Sequence, residues 1–354
     1  MKIKIQSAEL NRMMKTISQC IDPRFSGRGN IEFIYDNNML SIRGTNGQVS
    51  AVVSTPVLGG DGEIFCIDGS MFAKVCALCN GEVEISTDGK NCTVKGAGRT
   101  RLPIISADIP SYSHVDGPTT TVLSDDLTRC YKSVAYAVSE DQSRVQLTGI
   151  LTEVGEYGLK MTALDGFQMS IETAQCRGEA MKAIIPGTFM KLVVQGACSG
   201  ADVKLRTDGK RIEAVTDGMM LVGGLLTGEF PDTKRILPTS FTTECLVRVE
   251  ELRNALKSGA VVNSKQNLVK LDVSHEYVKV MSNSEEADYD ADVPCDTQGN
   301  ELKIAFNNKY LMNTINAITT EDAVLKLNSS VSPCVVQGKD EVGIRLLLPV
   351  RVAG

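Results

Sequence analysis

The residue types used most often for metal binding and redox chemistry are present, but their arrangement is irregular. The chain has eleven cysteines and two histidines, His114 and His275. Cys76 and Cys79 form a Cys-x-x-Cys pair within an apolar pattern of helical spacing, and no second such pair occurs. Zinc sites and disulfide frameworks need a matched set of partners. The spacing favours reduced cysteines that act as small hydrophobic side chains, and it predicts neither a metal nor a cofactor.

No arrangement of nucleophile, base or phosphate-binding loop is recognisable either. The sequence has no P-loop, no Gly-x-Ser-x-Gly and no His-Glu-x-x-His motif. Asp165, Asp217 and Asp232 each adjoin a glycine or proline, as turn aspartates commonly do. A carboxylate pair could be assembled from them, so a three-domain hydrolase is kept as an alternative. The sequence predicts no catalytic residue.

Positive charges recur at matched positions on three amphipathic helices, counted from the leucine that opens each apolar stripe (Leu10, Leu127 and Leu252). A solvated face would accept glutamate equally well. A basic face in all three copies therefore predicts contacts with the phosphates of a polyanion, which give affinity without sequence readout. The overall charge of −6 alone argues against nucleic-acid binding. The predicted contact residues are Arg12, Lys15, Arg129, Lys132 and Lys257, with Asn254 where the third helix lacks the arginine.

These helices open a unit that the chain repeats three times. Each copy reads as a helix, two strands, a second short helix and a hairpin, with a period near 120 residues. The second helices are predicted at Ile67-Asp-Gly-Ser, Ile185-Pro-Gly-Thr and Phe306-Asn-Asn-Lys, and Asp88-Gly89 and Asp208-Gly209 predict matching hairpin turns. We predict an α+β fold of three tandem domains, residues 1–118, 119–239 and 240–354. No membrane span or signal peptide is recognised, and we expect a cytoplasmic protein.

Several segments resemble the bacterial beta sliding clamps, the processivity subunits of replicative DNA polymerases. The most specific are Ala163-Leu-Asp-Gly-Phe-Gln-Met169, Phe230-Pro-Asp-Thr-Lys-Arg-Ile-Leu-Pro238, Phe306-Asn-Asn-Lys-Tyr310, Ser330-Val-Ser332 and Leu347-Leu-Pro-Val-Arg351. The resemblance covers the full length. It implies clamp-type domains with two helices packed on antiparallel sheets, and a head-to-tail homodimer that forms a six-domain ring around double-stranded DNA. It also implies partner proteins: the polymerase catalytic subunit, an ATP-dependent clamp loader and repair polymerases. A clamp-like scaffold that does not encircle DNA is the nearer alternative.

The resemblance further implies a hydrophobic pocket, between the second and third domains, that receives a short partner peptide. An apolar floor with a few polar groups suits such a ligand. The implied pocket residues are Leu147, Leu164, Gly166, Phe167, Gln168, Met169, Pro231, Arg235, Ile236, Asn307, Tyr310, Val331, Pro333, Leu348, Pro349, Val350 and Arg351.

Ring closure requires two different surfaces, and the resemblance places them at the edges of the first and third domains. One expected surface contains the basic residues Lys74, Arg99 and Arg101 with the apolar Leu102 and Ile104. It is expected to face Ala260, Val261 and an acidic stretch with Glu285, Glu286 and Asp288 that extends to Asp290. Opposite charges favour this register. A solvated strand edge is the alternative for the acidic stretch.

The chain departs from the family pattern at a few positions. Phe167 and Gln168 replace a frequent histidine and arginine, Gln266 stands where an aromatic is often found, and residues 352–354 extend past the usual end. These changes affect the expected peptide preference. Leu102 replaces a larger aromatic, which implies a weaker dimer. Arg24 and Arg28 are both candidates for a DNA-contacting arginine in the loop 22–28.

Overall fold

The computed structural model describes residues 1–24, 27–59, 62–107, 109–110, 114–262 and 267–351, and these form two compact units. The first unit contains Met1–Leu127 and Cys176–Leu225, and the second contains Thr128–Gln175 and Leu226–Gly354. The described α-helices are α1 (Ser7–Ile17), α2 (Gly69–Ala77), α3 (Ser124–Val134), α4 (Gly187–Gly196), α5 (Val249–Val262) and α6 (Asn308–Asn316). All six begin where the three-fold repeat predicts them.

The first unit is built on antiparallel sheets. Its strands are β1 (Lys2–Gln6), β2 (Asn30–Asp36), β3 (Met39–Thr45), β4 (Val49–Pro56), β5 (Glu63–Asp68), β6 (Glu82–Thr87), β7 (Asn91–Lys95), β8 (Arg99–Pro103) and β9 (Thr119–Leu123), and, from the later segment, β13 (Arg177–Gly178), β14 (Met181–Pro186), β15 (Asp202–Thr207), β16 (Arg211–Thr216) and β17 (Met219–Gly224). One sheet has the order β1-β6-β7-β8, and a nine-stranded sheet has the order β13-β9-β15-β16-β17-β4-β3-β2-β5.

The second unit has its strands in one continuous antiparallel order, β10-β11-β12-β25-β24-β23-β18-β21-β20-β19-β22. They are β10 (Gly149–Gly155), β11 (Gly158–Leu164), β12 (Gln168–Ala174), β18 (Thr243–Arg248), β19 (Leu268–Val273), β20 (Tyr277–Asn283), β21 (Asp288–Gly299), β22 (Leu302–Asn307), β23 (Asp322–Leu327), β24 (Cys334–Gly338) and β25 (Ile344–Leu347). Helices α5 and α6 pack on this sheet through a core that includes Leu252, Leu256, Leu311 and Ile315.

The helices form as their periodicity predicts. In α1, Leu10, Met13, Met14 and Ile17 are buried, while Lys15 is exposed. Two of the second helices have side-chain caps: Asp68 Oδ1 accepts from the Met71 amide at 2.6 Å, and Asn307 Oδ1 accepts from the Lys309 amide at 3.0 Å. Such caps satisfy amides that lack a partner within the helix, so these short helices start at defined residues.

The prediction of two strands between the paired helices was wrong. Four strands, β2–β5, separate α1 from α2, and four more, β19–β22, separate α5 from α6. In β4, Ser50, Val52 and Ser54 alternate with buried residues, so a half-buried strand shows only weak hydrophobic alternation in sequence. The predicted Asp-Gly turns are confirmed, with Gly89 at φ 80° and Gly209 at φ 84°, values that glycine adopts without strain.

The two compact units do not follow the predicted three-way division, because residues 119–239 contribute to both. Strand β17 pairs with β4, with Leu221 opposite Ala51, and β12 pairs with β25, with Met169 opposite Leu346. Sheet pairing therefore continues across both predicted boundaries. The limits 1–118, 119–239 and 240–354 stay a prediction.

Candidate functional site

A small apolar cleft lies beside the C-terminal segment, within the second unit. It has a volume of about 70 Å³ and is lined by Leu164, Gly166, Phe167, Gln168, Met169, Ile236, Leu346 and Leu348. Pairing of β12 with β25 brings Met169 opposite Leu346. The Leu348 amide then donates to the Phe167 carbonyl at 2.9 Å, which places residue 348 against the turn after β11. The structure thus brings together seven of the predicted pocket residues and adds Leu346.

A buried cluster supports this cleft from below. Leu147 is only 2% exposed and packs with Val335, Leu346 and Ile171. Phe230, Leu237 and Phe241 pack against the same cluster. Leu147 therefore belongs to the buried cluster behind the cleft and is not among the side chains that line it. A preformed apolar floor of this kind can receive an apolar side chain without a large rearrangement.

Gln168 supplies a fixed polar group at the cleft. Its side-chain amide donates to the Tyr136 carbonyl at 3.1 Å and to Asp165 Oδ2 at 2.9 Å. Both partners are acceptors, so the amide nitrogen must face them. The carbonyl oxygen Oε1 is buried without a hydrogen-bond partner among the described residues. Gln168 is thereby held in one orientation and carries no charge.

Two aromatic rings form an exposed stack near the same turn. The rings of Phe167 and Tyr310 have centroids 5.7 Å apart and planes 19° apart. Phe167 is 57% exposed, so much of its ring faces solvent. Asn307, which caps α6, also accepts from the Tyr310 amide at 3.4 Å. The stack offers an aromatic surface beside the apolar cleft.

The remaining predicted pocket residues lie elsewhere around the C-terminal segment. Val331, Val350 and Arg351 line a second, larger cleft, together with residues that the sequence analysis did not single out. Pro231 and Arg235 are exposed, and Arg235 Nε lies 3.3 Å from Asp232 Oδ2. Pro231, Arg235, Pro333 and Pro349 line neither cleft. Gln266 and residues 352–354 lie outside the described residues.

The predicted DNA contacts divide into exposed lysines and paired arginines. Lys15, Lys132 and Lys257 are exposed, as their helical positions predict. Arg12 instead binds Glu9 on its own helix, with Nη2 at 2.7 Å from Oε1, and this contact lowers the pKa of Glu9 although burial opposes the shift. The lysines are therefore the more available cations for a phosphate.

The other three arginines also have protein partners. Arg24 forms two hydrogen bonds with Asp22, at 2.9 and 2.8 Å, and these lower the pKa of Asp22 to about 2. Arg28 donates to the Asn46 carbonyl at 3.3 Å. Arg129 lies 3.2 Å from Glu172 and donates to the Thr173 carbonyl at 2.8 Å. These partners compete with a phosphate for the guanidinium groups, an effect that helical spacing alone does not reveal.

In the first unit, β8 is a terminal strand of its sheet and carries basic side chains. Arg99 and Arg101 are exposed there, as is Lys74 on α2, while Ile104 is half-buried. Leu102 is only 6% exposed, because strand alternation turns it toward the core of its own sheet. The assignment of Leu102 to the dimer interface stays a prediction.

Two apolar residues near Lys74, at the surface of α2, are exposed. Met71 is 48% exposed and Leu78 is 70% exposed, whereas Phe72 and Cys76 are buried. Met71, Lys74 and Leu78 recur at helical spacing, so they share one face. The helical spacing of these three residues can be read in the sequence, and it could have indicated a contact surface on α2.

In the second unit, the first half of β21 presents an acidic edge. Among the described residues, Asp288 to Pro294 pair with β20 alone, since the pairing of β21 with β18 is confined to Cys295 to Gly299. Glu285, Glu286, Asp288 and Asp290 are exposed, as predicted, and Asp290 lies 3.0 Å from Lys279 Nζ. Asp292 is also exposed and was missed by the sequence analysis. Ala260 and Val261, at the end of α5, are exposed as well, Val261 by 86%.

The cysteines behave as small hydrophobic side chains. All eleven are thiols and most are buried. Burial raises the pKa of Cys20 and of Cys92 to about 12, so these thiols are poor nucleophiles and poor metal ligands at neutral pH. Within the described ranges, no group of three or more His, Cys, Asp or Glu side chains could hold a metal ion. The part of the chain that the structure describes also contains no helix long and apolar enough to cross a membrane.

Comparison with known proteins places this chain in one family. The family model of the DNA polymerase III beta subunit matches twice, the central domain at residues 121–232 and the C-terminal domain at 234–351. The chain therefore belongs to the family of DNA polymerase III beta subunits, the bacterial beta sliding clamps. It is a DNA sliding clamp for a replicative polymerase and not an enzyme, and the hydrolase alternative is set aside.

Beta sliding clamps of named bacteria match this chain over 90% or more of its length. The beta sliding clamp of Bacillus subtilis is 23% identical over 381 residues, covering 99% of this chain and 100% of the relative. That of Streptomyces coelicolor is 25% identical over 339 residues, covering 90% of each. The Pseudomonas aeruginosa sliding clamp bound to griselimycin has the same fold, with a TM-score of 0.93, 22% identity and coverage of 99% of this chain and 100% of that one. The DNA polymerase III beta subunit of Thermotoga maritima gives a TM-score of 0.91 at 23% identity, with the same coverage.

Proposed function

We propose that the chain pairs head to tail with a second copy, encircles double-stranded DNA and holds partner proteins at the apolar cleft beside Leu348. The observation that carries this proposal is that cleft: an apolar floor, one fixed amide and an exposed aromatic stack in a clamp-family chain. The proposed assembly contains six domains, three from each chain, with the limits 1–118, 119–239 and 240–354. Its action is topological and needs no cofactor.

Two strand edges of opposite charge support the head-to-tail pairing. The basic edge of β8 carries Arg99 and Arg101, and the acidic edge of β21 carries Asp288 and Asp292. Each edge has backbone groups without a strand partner among the described residues, so pairing would satisfy them and extend both sheets. A contact between two different surfaces closes into a ring when the rotation allows it. The exposed apolar residues Val261 and Leu78 would then be covered.

The exposed lysines of α1, α3 and α5 are proposed to hold the duplex. Lys15, Lys132 and Lys257 can contact phosphates, but they carry no base-reading geometry. Few contacts of this kind leave the ring free to move along DNA. The threaded ring keeps a bound polymerase near its template at a high effective concentration, so repeated rebinding becomes intramolecular.

The proposed partners at the cleft are the polymerase catalytic subunit, an ATP-dependent clamp loader and repair polymerases. Each would insert apolar residues of a short peptide between Leu348 and Ile236, next to the Phe167 ring. A separate loader is proposed because the sequence has no ATP-binding motif. We further propose that the protein acts in the cytoplasm, where chromosome replication takes place in bacteria.

Three measurements test this function. Light scattering behind a sizing column should give the mass of a dimer, and the protein should stay on closed circular DNA but leave the same DNA once it is cut. Equal retention on both forms would contradict encirclement and favour the scaffold alternative. Griselimycin should bind this chain, and deletion of residues 348–354 should abolish that binding. Unchanged affinity after the deletion would remove the cleft from the proposal.

A further inference from the structure

A second cleft lies on the other side of the C-terminal segment, within the second unit, and it is basic. Its volume is about 660 Å³, far larger than that of the apolar cleft. Lys270, Lys303 and Arg351 line it, with Met281, Ala305 and Val350 as apolar lining. Lys270 lies opposite Met281 on one neighbouring strand and opposite Ala305 on the other. The cleft therefore combines an apolar floor with three cations.

The C-terminal segment lies between the two clefts, and a backbone hydrogen bond holds it on each side. The Leu348 amide donates to the Phe167 carbonyl at 2.9 Å, and the Val350 amide donates to the Ala305 carbonyl at 2.7 Å. Leu348 lines the apolar cleft, whereas Val350 and Arg351 line the basic one. A peptide anchored beside Leu348 thus has the basic cleft only a few residues away.

The charges of the basic cleft are largely uncompensated. Lys303 lies 2.9 Å from Asp272, which offsets one positive charge. Lys270 and Arg351 are exposed and have no ion-pair partner among the described residues. Two exposed cations beside the proposed partner site, on a chain whose net charge is −6, form a local reversal of sign. Such a reversal selects partners by charge and raises their rate of association.

We propose that this basic cleft is a second subsite, which binds an acidic stretch flanking the apolar anchor of a partner peptide. The proposal rests on the proposed function, because it assumes that the apolar cleft receives the anchor. The apolar floor and the continuity with that cleft favour a peptide over a nucleic acid. Partners with acidic flanks would then outcompete partners with neutral flanks for the same clamp.

The test compares labelled synthetic peptides that share a Leu-Leu-Phe core and carry four aspartates or four asparagines at either end. Of the two aspartate peptides, the one whose charged end reaches the basic cleft should bind about tenfold more tightly than its asparagine counterpart at low salt, as measured by fluorescence anisotropy. This difference in affinity should fall several-fold at high salt. Lys270→Gln should lower the affinity for the aspartate peptide by about threefold and leave the affinity for the asparagine peptide unchanged. Lys339→Gln, the same change at an exposed lysine outside the cleft, should affect neither.

Three results would overturn the inference, and they are distinguishable. Equal affinity of aspartate and asparagine peptides would remove the subsite while leaving the apolar cleft in place. A single-stranded oligonucleotide could remove the extra affinity of the aspartate peptide and leave the affinity of the asparagine peptide unchanged. That result would assign the cleft to nucleic acid. Failure of every peptide to bind, together with failure of griselimycin, would overturn the proposed function itself and this subsite with it.

Discussion

Arg345 is a fully buried arginine that connects two carboxylates in the second unit. Its Nη1 donates to Glu341 Oε2 at 2.9 Å, and its Nη2 lies 3.2 Å from Glu172 Oε2 and donates to the Ala317 carbonyl at 2.8 Å. Glu172 is 5% exposed and belongs to β12, while Arg345 belongs to β25. The arginine therefore joins the strand pair that forms the floor of the apolar cleft.

Replacing Arg345 with methionine should destabilise this unit by about 3 kcal/mol, the lower end of the range for removing one partner of a buried ion pair. The lower end applies because Glu172 keeps Arg129 at 3.2 Å and Glu341 keeps hydrogen bonds from Thr319. Urea unfolding followed by circular dichroism measures the change, since the chain has no tryptophan. Arg177→Met, at a 79% exposed arginine 3.5 Å from Asp202, is the matched control and should cost less than about 0.5 kcal/mol.

The pH dependence of the Arg345→Met deficit provides a second readout. Burial raises the pKa of Glu341, but hydrogen bonds from Thr319 and the charge of Arg345 outweigh it and hold the pKa below the usual 4.5. A lowered folded pKa contributes stability above the unfolded value, and that stability is lost as the pH falls through the folded pKa. The deficit should therefore be largest at neutral pH and narrow in acid. A deficit below about 1 kcal/mol at pH 7, or one independent of pH, would show that the buried ion pairs of Arg345 do not stabilise this unit.

Other predictions follow from the surfaces. Lys15→Glu combined with Lys132→Glu should weaken retention on circular DNA and leave the dimer mass unchanged; retention equal to that of the unmodified protein would contradict the helix-face assignment. Arg101→Glu should raise the dimer dissociation constant in sedimentation by about tenfold at low salt, and little change at any salt would exclude the β8 edge. Asp208 accepts from the Lys210 and Arg211 amides, and these bonds lower its pKa to about 2. The ionised Asp208 contributes stability above its unfolded pKa, and this contribution is lost as the pH falls toward 2. Asp208→Asn should therefore lower the urea midpoint at pH 7, and the midpoints of the variant and the parent should converge near pH 2. A difference in midpoint that is constant with pH would contradict this.

The repeat, the helices and the buried face of α1 could be predicted from the sequence. Apolar spacing near 3.6 residues places Leu10, Met13 and Ile17 on one face, which is buried, and places Lys15 on the opposite face, where it is exposed. Asp-Gly turns and helix caps are similarly local, because a few neighbouring backbone groups determine them. The motifs around Phe167 and Leu347-Leu-Pro-Val-Arg351 named the family for the same reason: each is a short, contiguous pattern.

Only the tertiary structure decided which charges are available and where the clefts lie. Glu172 and Arg129 are 43 residues apart in sequence, so their pairing depends on how β12 packs beside α3, and no local pattern records it. Strand alternation turned Leu102 inward, and the basic cleft arose from Lys270, Lys303 and Arg351 on three separate segments. Such sites are set by long-range packing of sheets, because pairing partners distant in sequence determine which side chains share a face.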